Sequence, residues 1–172
     1  LARRCFDGRR VVALQHRDPV QLILAGGEVA FPAVKGHDLR VLPRFVEVLE
    51  RAVPGGKKAL TGSLRGVQQR QPKDLAIAIS DGLWEADTRS RCLKALVGAG
   101  HHSLFLHVLG QEELAPSLEH GQWVEDAESG EAHRITWDQK ARNAYALNIR
   151  EWCGTLAADC RRLGISYVPC WT

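Results

Sequence analysis

The sequence predicts an α/β domain built on a doubly wound, mostly parallel sheet, with an antiparallel edge strand and a small extra hairpin. Three observations point to it. Leu75-Ala76-Ile77-Ala78-Ile79 is a short apolar run that ends abruptly in Ser80-Asp81-Gly82. It is too short for a helix and too apolar for a half-exposed strand, so it reads as a buried, parallel strand. Residues 102–109 form a second run of the same kind. Around both, helical and strand-like periodicities alternate, as they do in βαβ units. Ligands of open parallel sheets bind outside the carboxyl ends of the strands, and Asp81 sits at such an end.

The elements follow in order. Residues 1–16 read as a helix, with Cys5, Phe6, Val12 and Ala13 on a loose apolar side interrupted by Gly8. Pro19 stops it, because proline disfavours helix in the residue before it. Residues 20–25 read as a strand. Gly26-Gly27 turns, and residues 28–32 read as the returning strand of a hairpin at a sheet edge. Leu42, Val46, Leu49 and Val53 have helical spacing. Asp38 caps an early turn, and Pro43 sets the regular helix to start near Leu42. Pro54-Gly55-Gly56-Lys57-Lys58 is a loop, and Leu60, Leu64 and Val67 mark a further helix ending before Pro72.

After the 75–79 strand, Asp87 or Thr88 is expected to cap a helix carrying Cys92, Leu93, Leu96 and Val97. Gly98 and Gly100 end it. Gln111-Glu112-Glu113-Leu114 is a short polar turn after the second apolar strand. Residues 123–126 and 133–136 flank a Gly130-containing turn and read as a small hairpin. The last helix is the clearest element. Ala141, Tyr145, Ile149, Trp152, Leu156, Cys160 and Leu163 step by four, four, three, four, four and three, one continuous apolar stripe. Thr136 with Gln139, or Asp138, caps its start; Gly164 closes it, and residues 165–168 are a final strand.

The chain has 172 residues, 45% hydrophobic and 25% charged, which fits one folded domain of ordinary size. A net charge of +3 is too small to argue for nucleic acid. Arg3, Arg4, Arg9, Arg10 and Arg17 fall all round their helix rather than on one stripe. The five cysteines form no Cys-x-x-Cys pair and no even framework, so a reducing, cytoplasmic compartment is expected. No apolar stretch approaches the ~20 residues of a membrane span. The chain starts at Leu1 and contains no methionine, so it is read as a single domain over residues 1–172 that is truncated at its N-terminus.

With the elements in place, the chain resembles a von Willebrand factor A-like domain, of the prokaryotic branch often encoded beside MoxR-type AAA+ ATPases. The residues that carry the resemblance are Arg17-Asp18-Pro19-Val20-Gln21-Leu22-Ile23-Leu24, Ala78-Ile79-Ser80-Asp81-Gly82-Leu83, and His107-Val108-Leu109-Gly110-Gln111-Glu112-Glu113-Leu114. Glu125-Asp126-Ala127-Glu128-Ser129-Gly130-Glu131 and Leu163-Gly164-Ile165-Ser166-Tyr167 extend it. The resemblance implies a protein-binding module rather than an enzyme, with a MoxR-type ATPase as partner, and relatives anchored in a membrane by segments outside this chain. It also implies a strand before Leu1 ending in Asp-x-Ser-x-Ser, the centre of a metal-ion-dependent adhesion site, placed between residues 20–25 and 75–79. Without that strand two central sheet edges are unpaired, and the isolated chain is expected to be unstable or aggregating.

The family's cation ligands are that Asp and its two Ser, a Thr from a second loop, and an Asp at the position of Asp81, with Ser80 and Gly82 at the site's edge. Mg²⁺ is therefore expected only if the upstream motif exists. The Thr position falls on Lys57 or Lys58, and an ammonium group cannot ligate a cation. The site reads as degenerate, with Lys57 or Lys58 approaching Asp81 in the cation's place. Where the family shows an acidic residue after the following strand, this chain has Gly110.

Each residue also has a plainer reading. Asp81 is a turn residue that caps local backbone amides, favoured because the other ligands are missing or replaced. His107 is a satisfied core histidine. His101 and His102 punctuate a strand entrance. Cys153 and Cys160 act as small hydrophobes. The Gly55-Gly56-Lys57-Lys58 loop is no P-loop, because it lacks the Gly-x-x-x-x-Gly-Lys-Ser/Thr frame. Trp84, Trp123, Trp137 and Trp171 lie near element ends, as partner anchors or core-margin residues. The alternative function is a small hydrolase or nucleotide-binding enzyme on a Rossmann-like sheet, using Asp81 and His107. Against it stand the absence of Gly-x-Gly-x-x-Gly, of a nucleophile elbow and of a paired acid–base set.

Overall fold

A computed structural model describes residues 12–24, 34–52, 75–98, 100–118, 121–125 and 130–171. The returning strand expected at 28–32, the Lys57-Lys58 loop, the helix expected around Leu60–Val67 and most of the N-terminal helix lie outside these residues. The chain forms two compact units. One comprises Leu1–Ala76 with Trp84–His102, the other Ile77–Leu83 with Ser103–Thr172.

In the first unit residues 12–15 are helical. Strand β1 (Val20–Leu22) pairs antiparallel with β2 (Val34–Gly36), Val20 opposite Gly36. These two strands form a sheet of their own rather than an edge of the parallel sheet, and the return expected at 28–32 lies outside the described residues. Asp38 caps a 3-10 turn (Leu39–Val41) by accepting the Arg40 N–H at 2.9 Å. Helix α1 (Leu42–Arg51) then begins with Pro43 in its first turn, where the missing N–H costs nothing. Helix α2 (Ala86–Val97) has Glu85 at its cap position, two or three residues before the expected Asp87 or Thr88. No side chain caps that end. Asp87 instead lies in the first turn, where its charge opposes the helix dipole's positive end. Among the described residues of this unit, Leu14, Leu22, Val34, Phe45, Cys92, Leu93 and Leu96 are the buried hydrophobes.

The second unit is built on a three-stranded parallel sheet in the order β3–β4–β7. Strand β3 is Leu75–Ser80, entering from the first unit, and β4 is His102–Leu109. Strand β7 (Ser166–Trp171) runs parallel to β4, with Phe105 opposite Tyr167 and His107 opposite Pro169. β4 is buried from Ser103 to Leu109, as its unbroken apolar run requires when neighbours lie on both sides. β3 is not the buried strand its composition predicts. Leu75 is 64% exposed and the rest is half-buried. The cause is position: among the described residues β3 has a strand on one side only.

A short helix α3 (Gln111–Leu114) follows β4. The predicted small hairpin is β5 (Trp123–Glu125) against β6 (Ala132–Arg134), with Gly130 at φ +71° in its turn. Helix α4 (Gln139–Arg162) is capped by Asp138, whose carboxylate accepts the Ala141 N–H at 2.8 Å. Gly164, at φ +73°, ends it. The predicted stripe faces inward: Leu156 and Cys160 are buried, and Ala141, Tyr145, Ile149 and Trp152 are half-buried among exposed neighbours. α4 packs on the sheet through its C-terminal half, where Trp152 meets His107 edge-on at 4.9 Å between ring centres. Nothing among the described residues is a helix long and apolar enough to cross a membrane.

Candidate functional site

The candidate site is the carboxyl edge of the sheet in the second unit, at the turn after β3. Period-2 alternation puts Phe105 and His107 of β4 on one face. Tyr167 and Trp171 of β7 join them, Phe105 stacking on Tyr167 with planes 3° apart and Trp171 edge-on to His107 at 6.0 Å. α4 lays Trp152 and Leu156 over this face.

His107 is fully buried, and both ring nitrogens are engaged. Nε2 lies 2.6 Å from the Asp81 main-chain oxygen and Nδ1 lies 2.6 Å from the Tyr167 hydroxyl. A carbonyl oxygen only accepts, so Nε2 carries the proton and Nδ1 accepts from the Tyr167 O–H. That assignment describes a neutral imidazole. Burial pushes its pKa down, partly offset by the bond to Asp81 and by the charges of Asp81 and Glu113. Burial likewise raises the Tyr167 hydroxyl to about 12, which keeps it the donor.

The turn itself is tight. The Ser80 hydroxyl accepts the Gly82 N–H at 3.1 Å and lies 3.4 Å from Asp81 Oδ1. Asp81 Oδ1 accepts the Leu83 N–H at 3.2 Å, an Asx turn. Gly82 is buried at φ +71°, and a Cβ there meets Leu156 Cδ2 at 2.7 Å. Asp81 is exposed, Leu83 is 63% exposed and Trp171 47%. At the end of β4 the Glu113 carboxylate folds back to accept the Gly110 N–H, while its carbonyl accepts the Tyr145 O–H at 2.6 Å.

Ser80, Asp81 and Gly82 thus come together with His107, as the sequence placed them, while Lys57 and Lys58 lie outside the described residues. Asp81 behaves as a turn-capping carboxylate. His107 meets its backbone rather than its carboxylate, so the two are not arranged as an acid–base pair. A Mg²⁺ ion wants about six oxygen ligands. The described residues offer one carboxylate and one hydroxyl here, each already accepting a backbone N–H. Among the described residues no three His, Cys, Asp or Glu side chains converge as a metal group. The residues described do not fit a cation.

Sequence reasoning missed two participants. Tyr167 lies 60 residues from His107 and is brought in by strand register. Glu113, three residues beyond Gly110, turns its carboxylate back onto the Gly110 N–H at the end of β4, and an acidic residue at the N3 position of a short helix was the available signal. His101 is buried rather than simple polar punctuation. Cys160 is buried with its thiol pushed up to about 11, and burial raises Cys153 too, in keeping with their reading as small hydrophobes.

No family model matches the chain, and no match is found among curated proteins or solved structures.

Proposed function

We propose that this chain is a protein-binding module of the von Willebrand factor A type, partnering a MoxR-type AAA+ ATPase through a degenerate metal site. One observation carries the reading. The parallel sheet ends in a tight Ser80-Asp81-Gly82 turn that exposes Asp81 and whose polar groups serve the turn's own geometry. Such a corner offers shape and charge to a partner but no prepared nucleophile or base. The two nitrogens of His107 are occupied, and Cys160, the most perturbed thiol among the described residues, is held in its inert protonated form by burial.

The test is capture of a MoxR-type ATPase encoded beside this chain's gene, measured by size-exclusion chromatography of the mixed proteins with and without ATP. A stable complex supports the reading. Reproducible absence of a complex at micromolar concentrations counts against the partner. Metal-dependent binding, abolished by chelation, would restore a working cation site at Asp81 and overturn the degenerate reading.

A further inference from the structure

We propose that Asp81, Leu83 and Trp171 form a docking surface for a partner segment that presents one cationic side chain, Arg or Lys, beside a large apolar one. The proposal rests on reading the chain as an interaction module and names what that module would recognise.

Charge sets the first half. Asp81 is exposed, and among the described residues its carboxylate forms no ion pair. One oxygen is held by the Leu83 N–H, which orients the carboxylate and leaves Oδ2 without a hydrogen bond from a described residue. The charges acting on His107, just beneath the turn, are Asp81 and Glu113, both negative. A positive group therefore gains here, and a partner carboxylate is repelled. That is the opposite sign to a partner carboxylate completing a metal shell.

Apolar exposure sets the second half. Leu83 is 63% exposed directly after the turn, and Trp171 is 47% exposed at the end of β7. Tryptophan is among the residues that most often carry binding energy at protein interfaces. β3 and β7 flank β4, and adjacent strands lie about 4.8 Å apart, so the two strands are separated by roughly 10 Å measured across the sheet. An extended peptide covers that distance in about three residues. The fitting segment thus carries its cation about three positions from its apolar anchor.

The surface is preorganised. His107 fixes the Asp81 carbonyl to β4 and Tyr167, and its ring supports Trp171 edge-on. The turn's backbone therefore needs no reordering for binding.

The test uses the intact chain and short acetylated peptides carrying Arg with Phe or Leu about three residues away, against matched peptides with Gln or Glu in place of Arg. Binding is read by fluorescence anisotropy. The Arg set is expected to bind and the Glu set not. Asp81→Asn keeps a side-chain oxygen for the Leu83 N–H and should weaken Arg-peptide binding about tenfold, as should Trp171→Ala. Raising salt from about 50 to about 500 mM should weaken the wild-type chain in the same direction, a readout that needs no variant. Equal binding of Gln or Glu peptides, binding indifferent to both salt and Asp81→Asn, or no peptide binding at all overturns the proposal. If the ATPase is captured equally by wild type and by Asp81→Asn and Trp171→Ala, this surface is wrong while the interaction reading stands.

Discussion

Replacing Gly82 by alanine tests the geometry of the whole corner. Gly82 sits at φ +71°, in the left-handed region, where a residue with a Cβ costs about 1–2 kcal/mol more than glycine. The added methyl also meets Leu156 Cδ2 at 2.7 Å, well inside the ~3.5–4.0 Å of a relaxed carbon–carbon contact. Leu156 is fully buried, so the clash is not relieved by swinging into solvent. Overpacking of that kind costs about 1–3 kcal/mol. The sum predicts a loss of about 2–5 kcal/mol, a large share of an ordinary domain's stability. Urea unfolding, followed by far-UV circular dichroism, should show the midpoint falling with an unchanged slope. Leu156→Val removes the δ-methyl that the new Cβ strikes. In that background Gly82→Ala should cost about 1–3 kcal/mol less, a coupling that a double-mutant cycle isolates. A loss below about 0.5 kcal/mol, or no coupling to Leu156, refutes the described turn.

Other outcomes follow from the same face. His107 has a lowered folded pKa, so its contribution to stability is full above the unfolded value of about 6.5 and is lost as pH falls from there through the folded value. The wild-type minus His107→Gln difference in unfolding free energy should therefore shrink between about pH 7 and pH 5; a difference that grows on acidification sinks the neutral-imidazole assignment. Tyr167→Phe removes the donor to His107 Nδ1 and should cost about 1–3 kcal/mol by thermal or urea unfolding, with no cost expected if that bond is not made. Asp138→Ala should lose about 1 kcal/mol through the cap of α4, and Asp138→Asn far less. Cys160 should react with iodoacetamide near pH 8 only at the rate of unfolding, as mass spectrometry of the peptide containing it would show.

What was legible in the sequence was what depends on neighbours along the chain. The 102–109 strand declares itself by its apolar run and the α4 stripe by its period, and both are found where expected. Asp38, Pro43 and Gly164 mark element ends by backbone rules that hold in any fold. What was hidden depends on partners far away. β3 has the composition of a buried strand, and only its place beside a single described neighbour leaves it half-exposed. The start of α2 was missed because Glu85 caps without a side-chain bond and so leaves no signature. At the site, Asp81 and His107 were both singled out, and their plainer readings, a turn-capping carboxylate and a satisfied core histidine, are what the structure shows. That the contact runs through the Asp81 carbonyl, and that Tyr167 supplies the other half, is fixed by register between β4 and β7.

That register has a consequence for how the corner comes into being. The Asp81 turn is held by His107, 26 residues later, and His107 is held by Tyr167, 60 residues later still. On a chain emerging from the ribosome, β3, the turn and β4 are all made before the hydroxyl that completes them exists. Until β7 docks, the imidazole lacks its partner and Trp171 has not yet closed over its edge. The corner is therefore among the last local structures to mature, and it should be the first to loosen when the C-terminal strand frays. Hydrogen exchange at the Gly82 and Leu83 amides would report on the docking of a strand almost ninety residues away.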